Sequence, residues 1–145
     1  MNLSEKGIIV RKTIEADLAQ IYSTGIAEPF FKDLPFVFSA ENIADIFAME
    51  NSICFTAVRK KKVLGFIAGS VKDRRSQIHW MMVKDTFRKA GIGEELLKQY
   101  LESSKKYGAV DFLIAVLKNS PEPVKFFESR DFTVKENFVE LHRKI

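Results

Sequence analysis

Short apolar runs alternate with amphipathic stretches along the chain, and each predicts an element. Gly7 to Arg11 (GIIVR) is β-branched and reads as a first strand. Thr13 then sits where a helix N-cap belongs, with Glu15 and Asp17 in the first turn. Ala16, Ala19, Ile21 and Tyr22 carry that helix to about Ala27. Pro29 and Pro35 bracket an aromatic loop, EPFFKDLPFVF, after which Ser39 predicts a cap for a second helix with Ile43, Ile46 and Phe47 on one face.

The middle of the chain changes period. Ile53 to Arg59 and Val63 to Val71 predict neighbouring strands joined by the turn Arg59-Lys60-Lys61-Lys62, and Gln77 to Val83 predicts another. A glycine turn, FRKAGIGEEL, opens a helix whose buried face is marked by Ile92, Leu96, Tyr100, Leu101 and Tyr107, with Gly108 as its stop. Val110 to Leu117 is nearly all apolar, as a strand covered on both faces should be. Pro121 and Pro123 fall in the first turn of a helix running to about Arg130, and Phe132 to Val134 with Phe138 to Arg143 predict a closing pair of strands. The order is β-α-α-β-β-β-α-β-α-β-β. The expected fold class is α+β, a single-domain, mostly antiparallel mixed sheet over residues 1–145. One central parallel β-α-β pair lies within it, with a right-handed crossover and flanking helices.

Composition narrows the class without naming a function. The 145 residues suit one domain, and a 46% hydrophobic and 29% charged chain is ordinary globular composition. A net charge of +4 and a pI of about 9.2 favour anionic ligands mildly, without the clustered stripe a nucleic-acid binder shows. The run Arg59 to Lys62, between two strands, reads as a solvated hairpin turn. Cys54 is the single cysteine, flanked by Ile53 and Phe55, and reads as a strand residue in a reducing compartment. No signal-peptide pattern or membrane-length apolar run is found, so the expected location is cytoplasmic.

A strand ending in a glycine turn that opens a helix presents unpaired N–H groups at the positive end of the helix dipole, which suits phosphate oxygens. Arg88 and Lys89 add full charges there. Walker A is excluded because Glu94-Glu95 follows Gly93, and the dinucleotide fingerprint because Leu96 stands where a third glycine or alanine belongs. On glycine spacing alone, a plain tight turn fits equally well.

Val83-x-Asp85-x-Phe87-Arg88-x-x-Gly91-x-Gly93, followed by an apolar-faced helix, resembles the Arg/Gln-x-x-Gly-x-Gly/Ala signature of the GCN5-related N-acetyltransferases (GNAT family). VRKTIEADLAQI is similar to that family's opening strand and helix, and NSPEPVKFFESRDF to its last block. The resemblance implies acetyl-CoA as co-substrate, held where two parallel strands splay, with no metal. The amides of Arg88, Lys89, Ala90, Gly91, Ile92 and Gly93 would hold the pyrophosphate. The backbone of Met81, Met82 and Val83 would pair with the pantetheine arm, and Asn119 would contact it. The acceptor would be a primary amine on a small molecule or a peptide. No membrane or nucleic-acid partner is expected, and a homodimer is left open.

Acyl transfer to an amine needs a base, since an alkylammonium has a pKa of roughly 10. His79 lies on the strand that faces the thioester in the family, resembling a histidine of arylalkylamine N-acetyltransferases; an imidazole that hydrogen-bonds across the sheet fits the position too. Glu28 is the second candidate base or amine anchor. The Val83 amide would donate to the oxyanion by family analogy. Phe127 falls where many members carry the tyrosine that protonates the leaving thiolate, and Asp131 where they carry glycine. Those two departures keep open a degenerate acyl-CoA binder, and the basic turn keeps open an RNA-binding module. Phe30, Phe31, Phe36 and Phe38 fit either an apolar acceptor wall or packing. Trp80 alternates to the face opposite His79 unless the strand bulges.

Overall fold

A computed structural model describes the chain except for residues 1, 29, 30, 32–36, 118–120, 136–138, 140, 142 and 145. The described residues form two compact units, Met1–Ala115 and Val116–Ile145.

The first unit is built on a five-stranded sheet in chain order: β1 (Ile9–Lys12), β2 (Ser52–Arg59), β3 (Lys62–Lys72), β4 (Arg75–Val83) and β5 (Asp111–Ile114). The first four strands pair antiparallel, and β4 pairs with β5 in parallel, Arg75 opposite Asp111 through Ile78 opposite Ile114. The expected mixed α+β sheet is therefore present. Its parallel pair lies at the end of the described sheet rather than in the middle. Phe132–Val134 joins no strand, and residues 136–138, 140 and 142 of the expected closing pair are outside the described residues.

Three helices belong to this unit: α1 (Leu18–Ile26), α2 (Ala40–Ala48) and α3 (Ile92–Lys106). Ser39 caps α2, its Oγ accepting from the Asn42 amide at 3.0 Å. The N-cap falls at Ile14 rather than at the expected Thr13; three residues on, the Asp17 carboxylate reaches back to accept from the Ile14 amide at 2.9 Å and pairs with Arg11 at 2.7 Å. Thr13 Oγ1 is engaged elsewhere, 2.6 Å from Thr56 Oγ1. Burial acts to raise the Asp17 pKa, but hydrogen bonds from Arg11, the Ile14 amide and Thr56 outweigh it and hold the carboxyl below its usual range.

The two faces of the sheet carry different helices. On one, Ile21, Phe31, Ile43, Val63, Phe66, Ala68 and Trp80 form a buried cluster beneath α1 and α2. On the other, α3 buries Ile92, Leu96, Leu97 and Tyr100 against the strands. Tyr107, expected on that buried face, is 55% exposed because the helix has ended: the Gly108 amide closes it on Lys105 O at 3.0 Å.

Both hairpins turn through paired left-handed residues, Lys60-Lys61 and Asp73-Arg74. Gln20 brackets the first turn, donating to Lys61 O and accepting from the Val63 amide, each at 3.0 Å. Cys54 is a half-buried residue of β2, and burial pushes its thiol up to about 11, far from a reactive thiolate. The second unit contains α4 (Pro121–Glu128), with both prolines in its first turn as expected.

Candidate active site

Strand β4 is two strands in one. Arg75 to Ile78 pair with β3 on one side and β5 on the other, whereas beyond Ile78, among the described residues, only the β3 pairing continues, to Val83. The Lys84 amide donates to Leu64 O at 2.8 Å on the β3 side. Alternation therefore turns the N–H and C=O of Val83, and of Met81, toward the side β5 does not reach. Among the described residues, the backbone edge at Met81 to Val83 is therefore one that β5 does not cover.

The boundary is a bulge. Ala68 stands opposite Trp80 and Gly69 opposite Ile78, which leaves His79 as the extra residue. Ser76 on one side of it reaches toward α3, while Trp80 on the other joins the cluster under α1 and α2. A bulge was the stated condition for His79 and Trp80 to escape simple alternation. His79 is half-buried, and its Nδ1 lies 3.2 Å from the Gln77 carbonyl. Burial lowers its pKa, and the Gln77 carbonyl works the other way without cancelling that effect, so the imidazole is neutral near pH 7.

At the far end of β4 the chain turns through Asp85–Phe87 and enters α3. Lys89 and Gly91 both have left-handed backbone, at φ 68° and 93°, and Gly91 is the helix N-cap with no side-chain cap. A Cβ at Gly91 would meet nothing within 4 Å, so the turn faces open space. The Glu95 amide makes the first helical bond, on Gly91 O at 3.1 Å; the amides of Ile92 and Gly93 precede it at the exposed helix end. Ile92 itself is buried and anchors that end.

Arg88 gathers three acceptors. Its Nε donates to Val83 O at 3.2 Å, and its terminal nitrogens lie 2.9 Å from Asp85 and 3.4 Å from Glu28. Glu28 is well covered, with 10% of its side chain exposed. Around this pair is a cavity of about 440 Å³ lined by Ser23, Thr24, Ala27, Glu28, Met82, Lys84, Asp85 and Arg88. The structure thus brings Glu28, Met82 and Arg88 together, while His79 does not line the same cavity. Lys84, Asp85 and the α1 hydroxyls were missed by the sequence reading. The i, i+3 spacing of Asp85 and Arg88 was the one available signal.

The aromatic wall is partly resolved. Phe31 is buried, and Phe38 packs with ring centroids 4.9 Å from Phe31, 5.9 Å from Phe66 and 5.4 Å from Trp80. These two are core; Phe30 and Phe36 are outside the described residues, as is Asn119. The basic turn sits close to the glycine turn, with Arg59 stacked 4.9 Å from the centroid of Phe87. In the second unit Phe127 is buried, its ring 5.1 Å from Phe126 and 5.2 Å from Phe132, and Asp131 takes the left-handed conformation (φ 70°) that glycine adopts most readily. Among the described residues no group of three His, Cys, Asp or Glu is placed to hold a metal, and no helix is long and apolar enough to cross a membrane.

The sequence model described as "Acetyltransferase (GNAT) domain" matches residues 35–142. The chain belongs to the GNAT acetyltransferase family. Solved structures share the fold of this GNAT chain at low identity. An aminoglycoside N-acetyltransferase AAC(6')-Iy in complex with CoA, 12% identical, superposes with a TM-score of 0.79 over 94% of this chain and 100% of its own. The ribosomal-protein-S18-alanine N-acetyltransferase of Escherichia coli, 17% identical, gives 0.76 over 89% and 79%, and Ard1 of Thermoplasma volcanium, 20% identical, gives 0.75 over 90% and 85%. No curated protein sequence matches the chain.

Proposed function

We propose that this GNAT chain is an acetyl-CoA-dependent N-acetyltransferase acting on a primary amine, with residues 1–145 as one catalytic domain. The observation that carries the reading is that, among the described residues, β5 leaves the Met81 to Val83 edge of β4 uncovered, beside a helix end capped by Gly91 with open space in front of it. An extended amide-bearing arm fits such an edge as an added strand would, and a pyrophosphate fits the helix end.

In this reading the amides of Gly91, Ile92 and Gly93 hold the pyrophosphate, with Arg88, Lys89 and Ala90 completing the turn. Met81 and Val83 offer backbone groups to the pantetheine amides and Met82 packs behind them; Asn119 and Phe127 are assigned to the cofactor by the family resemblance alone. Bound acetyl-CoA supplies an activated acyl carbon. His79 accepts the proton of the acceptor ammonium at Nε2, because a carbonyl can only accept and Nδ1 must carry the hydrogen facing Gln77 O. The Val83 N–H points from the open edge, where negative charge developing on the acyl oxygen can be met. Glu28, paired with Arg88 in the neighbouring cavity, is the second candidate for base or amine anchor. Direct attack in a ternary complex requires no covalent enzyme intermediate.

A CoA-binding protein with little turnover is the second reading, favoured by Phe127, which has no proton to donate. Thiol release from acetyl-CoA against a panel of primary amines separates the two. The transferase reading expects amine-dependent release that falls about 100-fold in His79→Gln with unchanged Tm. CoA binding with no release on any amine supports the second reading and ends the first.

A further inference from the structure

The bulge at His79 is braced from behind by a line of buried hydroxyls. Ser76, Tyr100 and Ser104 each have 0% of their surface exposed. Ser76 donates to the Tyr100 hydroxyl at 2.7 Å, and Tyr100 donates to the Gln77 carbonyl at 3.2 Å. Ser76 has already given its one hydrogen to Tyr100, so in the 3.1 Å contact with Ser104 the donor is Ser104. The line therefore runs in one direction, from Ser104 through Ser76 and Tyr100 to the Gln77 carbonyl, and each bond polarises the next. The same carbonyl is the acceptor for His79 Nδ1.

Gly69 makes room for this junction. A Cβ there would lie 2.2 Å from both Gln77 O and the Tyr100 hydroxyl, inside any real contact. Burying three hydroxyls is unfavourable unless each is bonded. Here they converge on one carbonyl beside the bulge.

We propose that Tyr100 is a positioning residue for His79, acting through the Gln77 carbonyl: its hydroxyl fixes the carbonyl that holds Nδ1–H, and so the tautomer that presents Nε2. The catalytic part of this inference rests on His79 being the base. Among the described residues the titratable groups around the junction are Tyr100 on α3 and Cys54 on β2. Burial pushes both upward, Cys54 to about 11, so both are neutral near pH 7. Removing the Tyr100 hydroxyl takes one donor from the Gln77 carbonyl, leaving it freer to accept from His79 Nδ1–H, and loosens the bulge to water. Both changes favour the imidazolium, so the His79 pKa rises.

The test is an NMR titration of the ring nitrogens in the intact protein, in wild type, Tyr100→Phe and Ser104→Ala. The chain has two histidines, and His79→Gln assigns the signals, leaving His142 as an internal reference. Expected are an Nδ1–H tautomer in wild type, an upward pKa shift of His79 in Tyr100→Phe with His142 unmoved, and a smaller shift of the same sign in Ser104→Ala. With it, kcat falls about tenfold and the acidic limb of the pH–rate profile moves up alongside. Should Tyr100→Phe not fold, Ser104→Ala decides alone. An Nε2–H tautomer in wild type, or an unmoved His79 titration in folded variants, overturns the proposal. A titration that moves while the pH–rate profile stays still keeps the bond network and removes His79 as the base.

Discussion

The two halves of β4 differ in what they are joined to. Arg75 to Ile78 are hydrogen-bonded on both sides, Ser76 and Ile78 are fully buried, and Arg75 adds an exposed ion pair to Asp111 at 3.0 Å. Trp80 to Val83 keep β3 as partner, and among the described residues no strand pairs the other edge of Met81 to Val83. The first half is scaffold, whose backbone groups are satisfied within the protein. The second half is the site in the proposed function, because a backbone edge next to a glycine-capped helix end is the kind of surface a ligand completes. A single extra residue, His79, separates them. The lesson is that one strand can hold both roles when a bulge lets its two halves face differently.

That contrast can be broken from the scaffold side first. Ile78→Ala removes a fully buried side chain, so a stability loss of about 3 kcal/mol is expected in denaturant melts. Affinity of the folded protein for acetyl-CoA should stay within about twofold. A large loss of affinity at unchanged stability would erase the division.

On the site side, Gly91→Trp puts a bulky side chain, in strained left-handed backbone, into the space before the helix end. Saturating acetyl-CoA at about 100 times Kd should stabilise wild type by about 2.7 kcal/mol, read as a Tm rise, and should leave the variant unmoved. An equal rise in both proteins would detach the glycine turn from the cofactor. Phe127→Tyr sharpens the catalytic half of the account. Restoring a phenol should raise kcat several-fold, up to about tenfold, in amine-dependent thiol release, with KM for acetyl-CoA little changed. No gain would mean that leaving-group protonation does not limit the rate.

The smallest effect concerns pH. The His79 pKa is lower in the folded protein than in the unfolded chain, so the unfolded chain takes up the proton first as pH falls below about 6.5. Stability should decline across the interval between the two pKa values and level off below the folded one. His79→Gln should flatten that segment; an identical decline in the variant would assign it to another group.

Much of this architecture was legible because it is local. Ser39 ahead of an amphipathic helix, the paired strands around a lysine turn, and Val83 running into Gly91 all carry their signal within a dozen residues. What escaped was set by distant partners. Thr13 is a competent cap by residue type, but its Oγ1 bonds Thr56, 43 positions away, and the N-cap falls at Ile14, held by Asp17. The bulge at His79 depends on how β3 is offset against β4, which no local pattern fixes. Arg88 reads as a phosphate ligand in the sequence, while its contact to Glu28 depends on a residue 60 positions away brought beside it by the fold. Phe31 and Phe38 had the composition of a pocket or of a core, and only packing against Phe66 and Trp80 decided it.

Amide hydrogen exchange, with and without acetyl-CoA, tests the central claim most directly, because it reads both halves of β4 in one experiment. The account predicts new protection at Met81 and Val83 and at Gly91, Ile92 and Gly93, with Ser76 to Ile78 unchanged because their amides are already paired. Protection that appears equally in both halves, or nowhere on β4, would contradict it.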